Sequence, residues 1–527
     1  MIAWDFPYAS KRMPVIAGNV VAASQPLAAQ AGLHMLMNGG NAVDAALACV
    51  ITLTVVEPTG TGIGSDAFAM VWDGERLHAL NGSGCSPAAW SAEYFSQYAE
   101  FPRLGWDTVT VPGAVSAWVR MSDRFGMLPF EALFEPAIKY ARHGFHVSPI
   151  VAQNWARAAD IYHDFPEFAE TFLPHGKAPS AGELFRSENM AETLAEIAET
   201  RGASLYTGSL AEQIVEYAAA TGGLLTVEDL AEQRATWVQP ISTSFHEYTV
   251  HELPPNTQGI AALIMLGILR NTAALDYDVD SAESLHLQIE AMKLAFTDVF
   301  RHVADPGWMQ LEPHDLLDSE YLRQCAGTID MRQAHFPATR FPQGKGTVYL
   351  TAADASGMMV SFIQSNYMGF GSGIVIPGTG IAMQNRGCGF TLEAGHPNQV
   401  DGKKRPFHTI IPGFVTKKGR AVMSFGCMGG HMQPQGHAQL VLRICGYGQN
   451  PQAACDAPRW HLFEDYRVGV EPGFSVDALD ALRAKGHTIV TDCSEGLFGG
   501  AQTIYRLDDG SYAAASDPRK DGLAVGF

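Results

Sequence analysis

The stretch Gly346-Thr347-Val348-Tyr349-Leu350-Thr351-Ala352-Ala353-Asp354 decides how this chain is read. Its apolar and hydroxyl residues form a strand-like run, and a breaker-rich segment, residues 336–345, leads into it. If the chain is cut at Gly346-Thr347, Thr347 gains a free α-amine beside its own hydroxyl. A hydroxyl holds its proton at neutral pH, and an amine of ordinary pKa, roughly 7.7–8.0, can take it. One residue is then both nucleophile and base. Read alone, the pair is a turn entering a core strand. Thr351 lies an even number of residues further on, so its side chain shares a strand face with Thr347.

Outward from this point the patterns differ. On the C-terminal side, strand-like runs at 347–354, 358–364, 408–416 and 421–425 alternate with Gly and Asp turns. On the N-terminal side, Pro26 opens a helical pattern with Leu33, Leu36 and Met37 on one side, ended by Asn38-Gly39-Gly40. Asn41 is placed to cap an apolar helix over Ala42–Val56, which Glu57-Pro58 ends. A strand over 67–72 turns at Asp73-Gly74 into 77–80. Residues 115–335 read as mostly helical. There Asp280 and Glu283 form a capping-box variant before a stripe of Leu285, Ile289, Met292 and Phe296. The segment before Thr347 is the one linker-like stretch.

The chain has 527 residues, enough for several domains or one large α/β body. A formal charge of −20 argues against nucleic-acid and anionic-membrane partners. The eight cysteines are scattered with no zinc-type spacing, so most are expected to be buried thiols in a reducing compartment. Met1–Tyr8 has no basic region followed by an apolar one, and Ala42–Val56 is too short to span a bilayer. A cytoplasmic location is expected.

Blocks along nearly the whole chain resemble the γ-glutamyltranspeptidase family of N-terminal-nucleophile hydrolases, in the family's order. They include Ala22-Ala23-Ser24-Gln25-Pro26, Gly39-Gly40-Asn41-Ala42-Val43-Asp44 and Glu57-Pro58-Thr59-Gly60-Thr61-Gly62. Later come Glu290-Ala291-Met292-Lys293, Arg405-Pro406, Met428-Gly429-Gly430, Asp456-Ala457-Pro458-Arg459 and Asp517-Pro518-Arg519. The resemblance implies an α/β (α+β) four-layer αββα sandwich with two central antiparallel sheets. It implies maturation at Thr347, giving a large subunit, 1–346, and a small catalytic subunit, 347–527, together one compact domain. A higher homo-oligomer is compatible with it.

The site implied by the resemblance has Thr347 as nucleophile. Gly429 and Gly430 supply oxyanion donors, and Thr351 helps orient the nucleophile. Asn366 matches an asparagine at the reacting centre, although a one-residue shift leaves Gln364 or Ser365 to share that role. The substrate-reading end departs from the family. Where an arginine usually grips an α-carboxylate stand Ser83 and Cys85 in 81–87. A usual Ser-Ser pair is His408-Thr409, and a usual acidic residue is Gly389 before Phe390. Arg386 or Arg405 is the expected replacement for the missing guanidinium. The family's lid is reduced to 399–404, which suggests an open cleft favouring water as acceptor.

Gly60-Thr61-Gly62-Ile63-Gly64 lacks the context of a phosphate loop and reads as a tight turn. His431 and His437 are not at metal spacing, so no metal or cofactor is expected. The expected function is an autoprocessed γ-glutamyltransferase or glutathione hydrolase-like enzyme. It would cleave small γ-glutamyl or similar amides through a threonyl acyl-enzyme. Two alternatives stand: a cephalosporin (glutaryl) acylase-like or other small-amide hydrolase, and a binding protein that never cleaves itself.

Overall fold

The structure is a computed structural model and describes residue 8 and residues 12–337 and 346–527. Most of the breaker-rich segment before Gly346, and the N-terminal stretch on which the location was read, lie outside the described residues.

Two seven-stranded sheets form the centre. One runs Leu523–Gly526, Val20–Ala23, Val348–Ala353, Met359–Ser365, Asp66–Trp72, Leu77–Gly82, Thr236–Val238. The other runs Val15–Ala17, Tyr512–Ser516, Gly500–Arg506, Arg420–Met428, Gly413–Lys417, Tyr248–Glu252, Ile241–Phe245. Every neighbouring pair is antiparallel.

Period-two alternation sorts the side chains into layers. Val20, Phe68, Tyr349 and Ile363 point inward and meet Phe414, Met428 and Ile504 of the other sheet. Their neighbours Val21, Ala69, Val348 and Phe362 point outward under helices Pro26–Met37 and Ala42–Val56. On the far side, Val415, Met423 and Phe425 lie under helices Ile260–Leu269, Ala282–His302 and Met432–Val441. The fold is the expected four-layer αββα sandwich. Strands from before and after Gly346 are mixed in both sheets, and Val348–Ala353 sits between Val20–Ala23 and Met359–Ser365.

Helix Ala42–Val56 is buried along its whole length, and Asn41 caps it with Asp44 completing a capping box. Several readings need correction. Ser281, not Asp280, caps helix Ala282–His302 by accepting from Ser284 N–H. Asp280 instead pairs with Arg443 at 2.5 Å, because its φ of +67° turns it out of the helix start. The run 408–416 enters the sheet only at Gly413, since the backbone of His408 is bridged to Thr257. The middle of the chain, read as helical, also supplies three sheet strands between Thr236 and Glu252. All eight cysteines are free, but only Cys49, Cys427 and Cys455 are buried and the other five are half-buried.

Candidate active site

Thr347 stands at the mouth of the inter-sheet layer, immediately before strand Val348–Ala353, and is 5% exposed. Its Oγ1 donates to the Gly346 carbonyl at 2.5 Å and lies 3.4 Å from Ser365 Oγ. Ser365 Oγ also donates to the Gly346 carbonyl, at 2.6 Å, and accepts the Tyr367 N–H at 2.7 Å. Two hydroxyls therefore converge on the carbonyl before the threonine. Gly346 has φ +131°, and a Cβ there would lie 2.5 Å from Gly369 N. Only glycine holds that carbonyl in this place.

Of the alternatives around Asn366, the sheet separates neighbours. Ser365 points inward to Thr347. Gln364 points outward, where its Oε1 accepts from Trp118 Nε1 at 2.9 Å and its Nε2 donates to Thr61. Asn366 accepts from Ser65 Oγ at 2.7 Å, and its buried Nδ2 has no hydrogen-bond partner. Thr351 shares the inward face of Thr347, but its Oγ1 contacts Ser424 Oγ of the opposite sheet at 2.6 Å. It fixes the strand between the sheets and does not touch Thr347.

Gly429 and Gly430 follow strand Arg420–Met428, with φ of +125° and +63°. Gly429 borders the same cleft as Thr347, and the Gly430 carbonyl accepts from Gln258 Nε2 at 2.9 Å. The cleft has a volume of about 540 Å³. Its walls add residues that the sequence reading did not place there: Glu57, Arg103, Arg157 and Lys520. Glu57 was read only as a helix end and as part of a family block, and Lys520 only as the residue that follows Asp517-Pro518-Arg519 in another block. Neither spacing nor residue type marked them.

Beside Tyr367 lies a buried charged cluster. Arg386 is 1% exposed, stacks on Tyr367 at 4.6 Å and donates from Nη1 to Thr409 Oγ1 at 2.7 Å. Its Nε and Nη2 have no hydrogen-bond partner. Burial lowers its pKa to about 10, against the pull of Asp66. Asp66 accepts from Gln384, Gly84 N–H and Gly113 N–H, and its Oδ2 lies 3.1 Å from His408 Nε2. Burial pushes the Asp66 carboxyl up to about 7 despite these donors. Burial and the nearby Arg386 hold His408 well below its ordinary value, so it is neutral. Arg386 thus keeps two donors uncommitted in a site where an unmet donor is costly.

The other substrate-reading candidates are committed elsewhere. Ser83 Oγ donates to Asn81, and Arg405 Nε donates to the Ser83 carbonyl at 3.1 Å. Cys85 is half-buried, and burial raises its pKa. A Cβ on Gly389 would lie 2.3 Å from the Phe407 carbonyl, so no acidic side chain fits there. The short lid segment is pinned to loop 86–90 by Ser86, whose Oγ donates to the Asp401 carbonyl and whose N–H donates to the Lys404 carbonyl.

His431 Nδ1 lies 2.9 Å from Gln258 Oε1, and His437 Nδ1 lies 2.7 Å from Glu252 Oε1. Elsewhere His286, Glu290 and His487 place ligand-type atoms within 4.8 Å of one another. Hydrogen bonds already engage them: His286 Nδ1 to His487 Nε2 at 2.8 Å and Lys293 Nζ to Glu290 Oε1 at 2.7 Å. This cluster anchors the backbone at His335, through Lys293 Nζ to the His335 carbonyl at 2.7 Å.

A threonine at the mouth of two stacked antiparallel sheets, with its hydroxyl against the preceding glycine carbonyl, fits an amidohydrolase of the N-terminal-nucleophile class. The family model described as Gamma-glutamyltranspeptidase matches residues 28–527. The glutathione hydrolase-like YwrD proenzyme of Bacillus subtilis is 36% identical over 510 residues, 95% of this chain and 97% of that protein. The oxamate amidohydrolase proenzyme of Klebsiella pneumoniae is 35% identical over 519 residues, again 95% and 97%. The crystal structure of cephalosporin acylase from Bacillus halodurans superposes with a TM-score of 0.95 at 47% identity, covering 100% of this chain and 99% of that one. The chain belongs to the γ-glutamyltranspeptidase family and is an autoprocessed enzyme, which sets aside the reading as a non-enzymatic binding protein. Among the described residues no helix is long and apolar enough to cross a membrane.

Proposed function

We propose that the chain cuts itself between Gly346 and Thr347, and that Thr347 then attacks the amide of a small acyl donor whose acyl end carries a carboxylate. The observation that carries this reading is the 2.5 Å contact from Thr347 Oγ1 to the Gly346 carbonyl. The product chains, 1–346 and 347–527, stay together because both contribute hydrogen-bonded strands to both sheets. In the mature site the freed α-amine takes the hydroxyl proton, and Oγ1 forms an acyl-enzyme. Gly429 and Gly430 are the candidate oxyanion donors. Water or an amine then discharges the ester. Arg386 supports the choice of donor: it is buried beside Tyr367, next to the cleft-lining Asn385, with two N–H donors unpaired that suit a carboxylate. No acid fits at Gly389 to hold an α-ammonium. Glutaryl- or oxalyl-type monoamides are therefore favoured, with γ-glutamyl compounds accepted but weakly distinguished.

The test has two parts. Purified protein should run as two bands, the smaller beginning at Thr347, whereas Thr347→Ala stays whole. Steady-state rates on γ-glutamyl and glutaryl anilides should show no preference for the γ-glutamyl donor. A micromolar KM for γ-glutamyl with rejection of glutaryl overturns the specificity reading.

A further inference from the structure

The first cut poses a chemical problem that the mature enzyme does not have. Before cleavage the Thr347 nitrogen is an amide and is no base. Its hydroxyl still has to lose a proton to attack Gly346, and the departing nitrogen has to gain one. The cleft contains one group suited to both tasks. Glu57 is the only carboxyl among the described residues lining it, and no imidazole is among them. The remaining titratable groups of the lining are Arg103, Arg157, Lys520 and the Tyr162 phenol, whose O–H donates to the Met368 carbonyl at 2.8 Å.

Glu57 is held in place from two directions. It ends helix Ala42–Val56, and a turn closed by Gly60 N–H to the Glu57 carbonyl, at 3.2 Å, follows it. That turn lies against the nucleophile: a Cβ on Gly60 would be 3.2 Å from the Thr347 carbonyl oxygen. Ser24 Oγ donates to Glu57 Oε2 at 2.5 Å, and this is the one hydrogen bond its carboxyl makes among the described residues. The residue is only 4% exposed.

We propose that Glu57 is the general base and acid of self-cleavage, a role that ends once the Thr347 α-amine exists. This rests on the reading of Gly346-Thr347 as the cut bond. The Glu57 carboxylate accepts the Thr347 Oγ1 proton, directly or through one water, as Oγ1 bonds to the Gly346 carbonyl carbon. The tetrahedral adduct then breaks its C–N bond. The protonated Glu57 returns the proton to the departing nitrogen, leaving a Gly346 ester on Thr347 and a free amine. Water hydrolyses the ester, releasing the Gly346 carboxylate and restoring the hydroxyl.

Burial pushes the Glu57 carboxyl up to about 7, against the opposing pull of Lys520 and of the Ser24 hydrogen bond; Asp521 adds to the rise. Cys49 lies on its own helix and feels the same charge, and Arg103 and Arg157 line the cleft with it. A base near neutrality exchanges a proton in both directions with little loss.

The test follows the full chain made by cell-free synthesis, with the two bands timed on denaturing gels from pH 5 to 9. Wild-type cleavage should accelerate with pH and level off above about 7. Glu57→Gln should slow it roughly 100-fold or more and lose the inflection. Glu57→Asp should recover part of the rate. Cleavage of Glu57→Gln within about threefold of wild type overturns the proposal. So does a wild-type rate that is flat across this range, a readout that does not depend on the variant folding. A small chain that begins at a residue other than Thr347 overturns the underlying reading instead.

Discussion

Arg459 Nη2 lies 2.6 Å from Asp517 Oδ2, with both side chains buried, joining two blocks 58 residues apart in sequence. Asp517 also accepts the Ala501 N–H at 2.8 Å, and Arg459 Nη1 donates to the Phe498 carbonyl at 2.9 Å. The pair thus fixes the loop at Gly499 that borders the Thr347 cleft. Despite burial, Arg459 and Arg519 hold the Asp517 carboxyl down at about 2. A depressed carboxyl contributes stability above its unfolded pKa, roughly 3.9, and that contribution is lost as pH falls through the folded value. Wild-type melting temperature should therefore drop between about pH 4 and 2. Asp517→Asn leaves Arg459 short of a buried partner and should cost roughly 3–5 kcal/mol at pH 7. A denaturant titration checks this.

The turn at Gly429-Gly430 carries the second prediction. Both residues have positive φ, so a β-branched side chain at 430 shifts the backbone N–H groups. Gly430→Val should lower kcat by about 10²–10³ in whatever fraction of the protein has matured. Active-site titration of the mature fraction separates this loss from poor processing. Near-normal turnover per titrated site would move the oxyanion donors elsewhere.

Arg386 and Gly389 carry the third. Arg386→Met should raise KM for carboxylate-bearing donors roughly 10- to 150-fold, the equivalent of about 1.5–3 kcal/mol for a charge-assisted hydrogen bond. It should change kcat less, because the carboxylate is held alike in ground and transition states. Gly389→Asp, the substitution suggested by family analogy, should destabilise the chain and not create an ammonium site. The reason is the Phe407 carbonyl 2.3 Å from its Cβ. Tighter γ-glutamyl binding by a well-folded Gly389→Asp enzyme would contradict the packing.

The fourth concerns Glu57 in the uncleaved Thr347→Ala chain. Its carboxyl is held at about 7, above its ordinary value. A raised carboxyl favours the fold fully below the unfolded pKa, roughly 4.3, and that contribution is lost as pH rises through the folded value. Adding Glu57→Gln should leave stability near pH 4 little changed. At pH 8 it should raise it by about 3 kcal/mol, the cost of ionising the buried carboxyl, which the amide does not bear. Equal melting temperatures of the two chains at pH 8 would place Glu57 in a wetter setting.

The sequence by itself determined the frame. Strand alternation around Thr347, the capped helix at Asn41 and the order of motif blocks are local or one-dimensional signals, and they sufficed for the fold class and for putting Thr347 at the start of a strand. The Ser365-or-Gln364 alternative stayed open because an alignment offset of one residue flips a side chain to the other face of a strand. Tertiary structure decided it by sending Gln364 to Trp118 and Ser365 to Thr347. It also decided what Gly389 is for, since only the fold brings the Phe407 carbonyl against it. The group around Arg386 draws on residues from 66 to 409, and Glu57 and Lys520 reach one cleft from opposite ends of the chain. Burial is what makes their charges matter, and burial is a property of packing that no local pattern records.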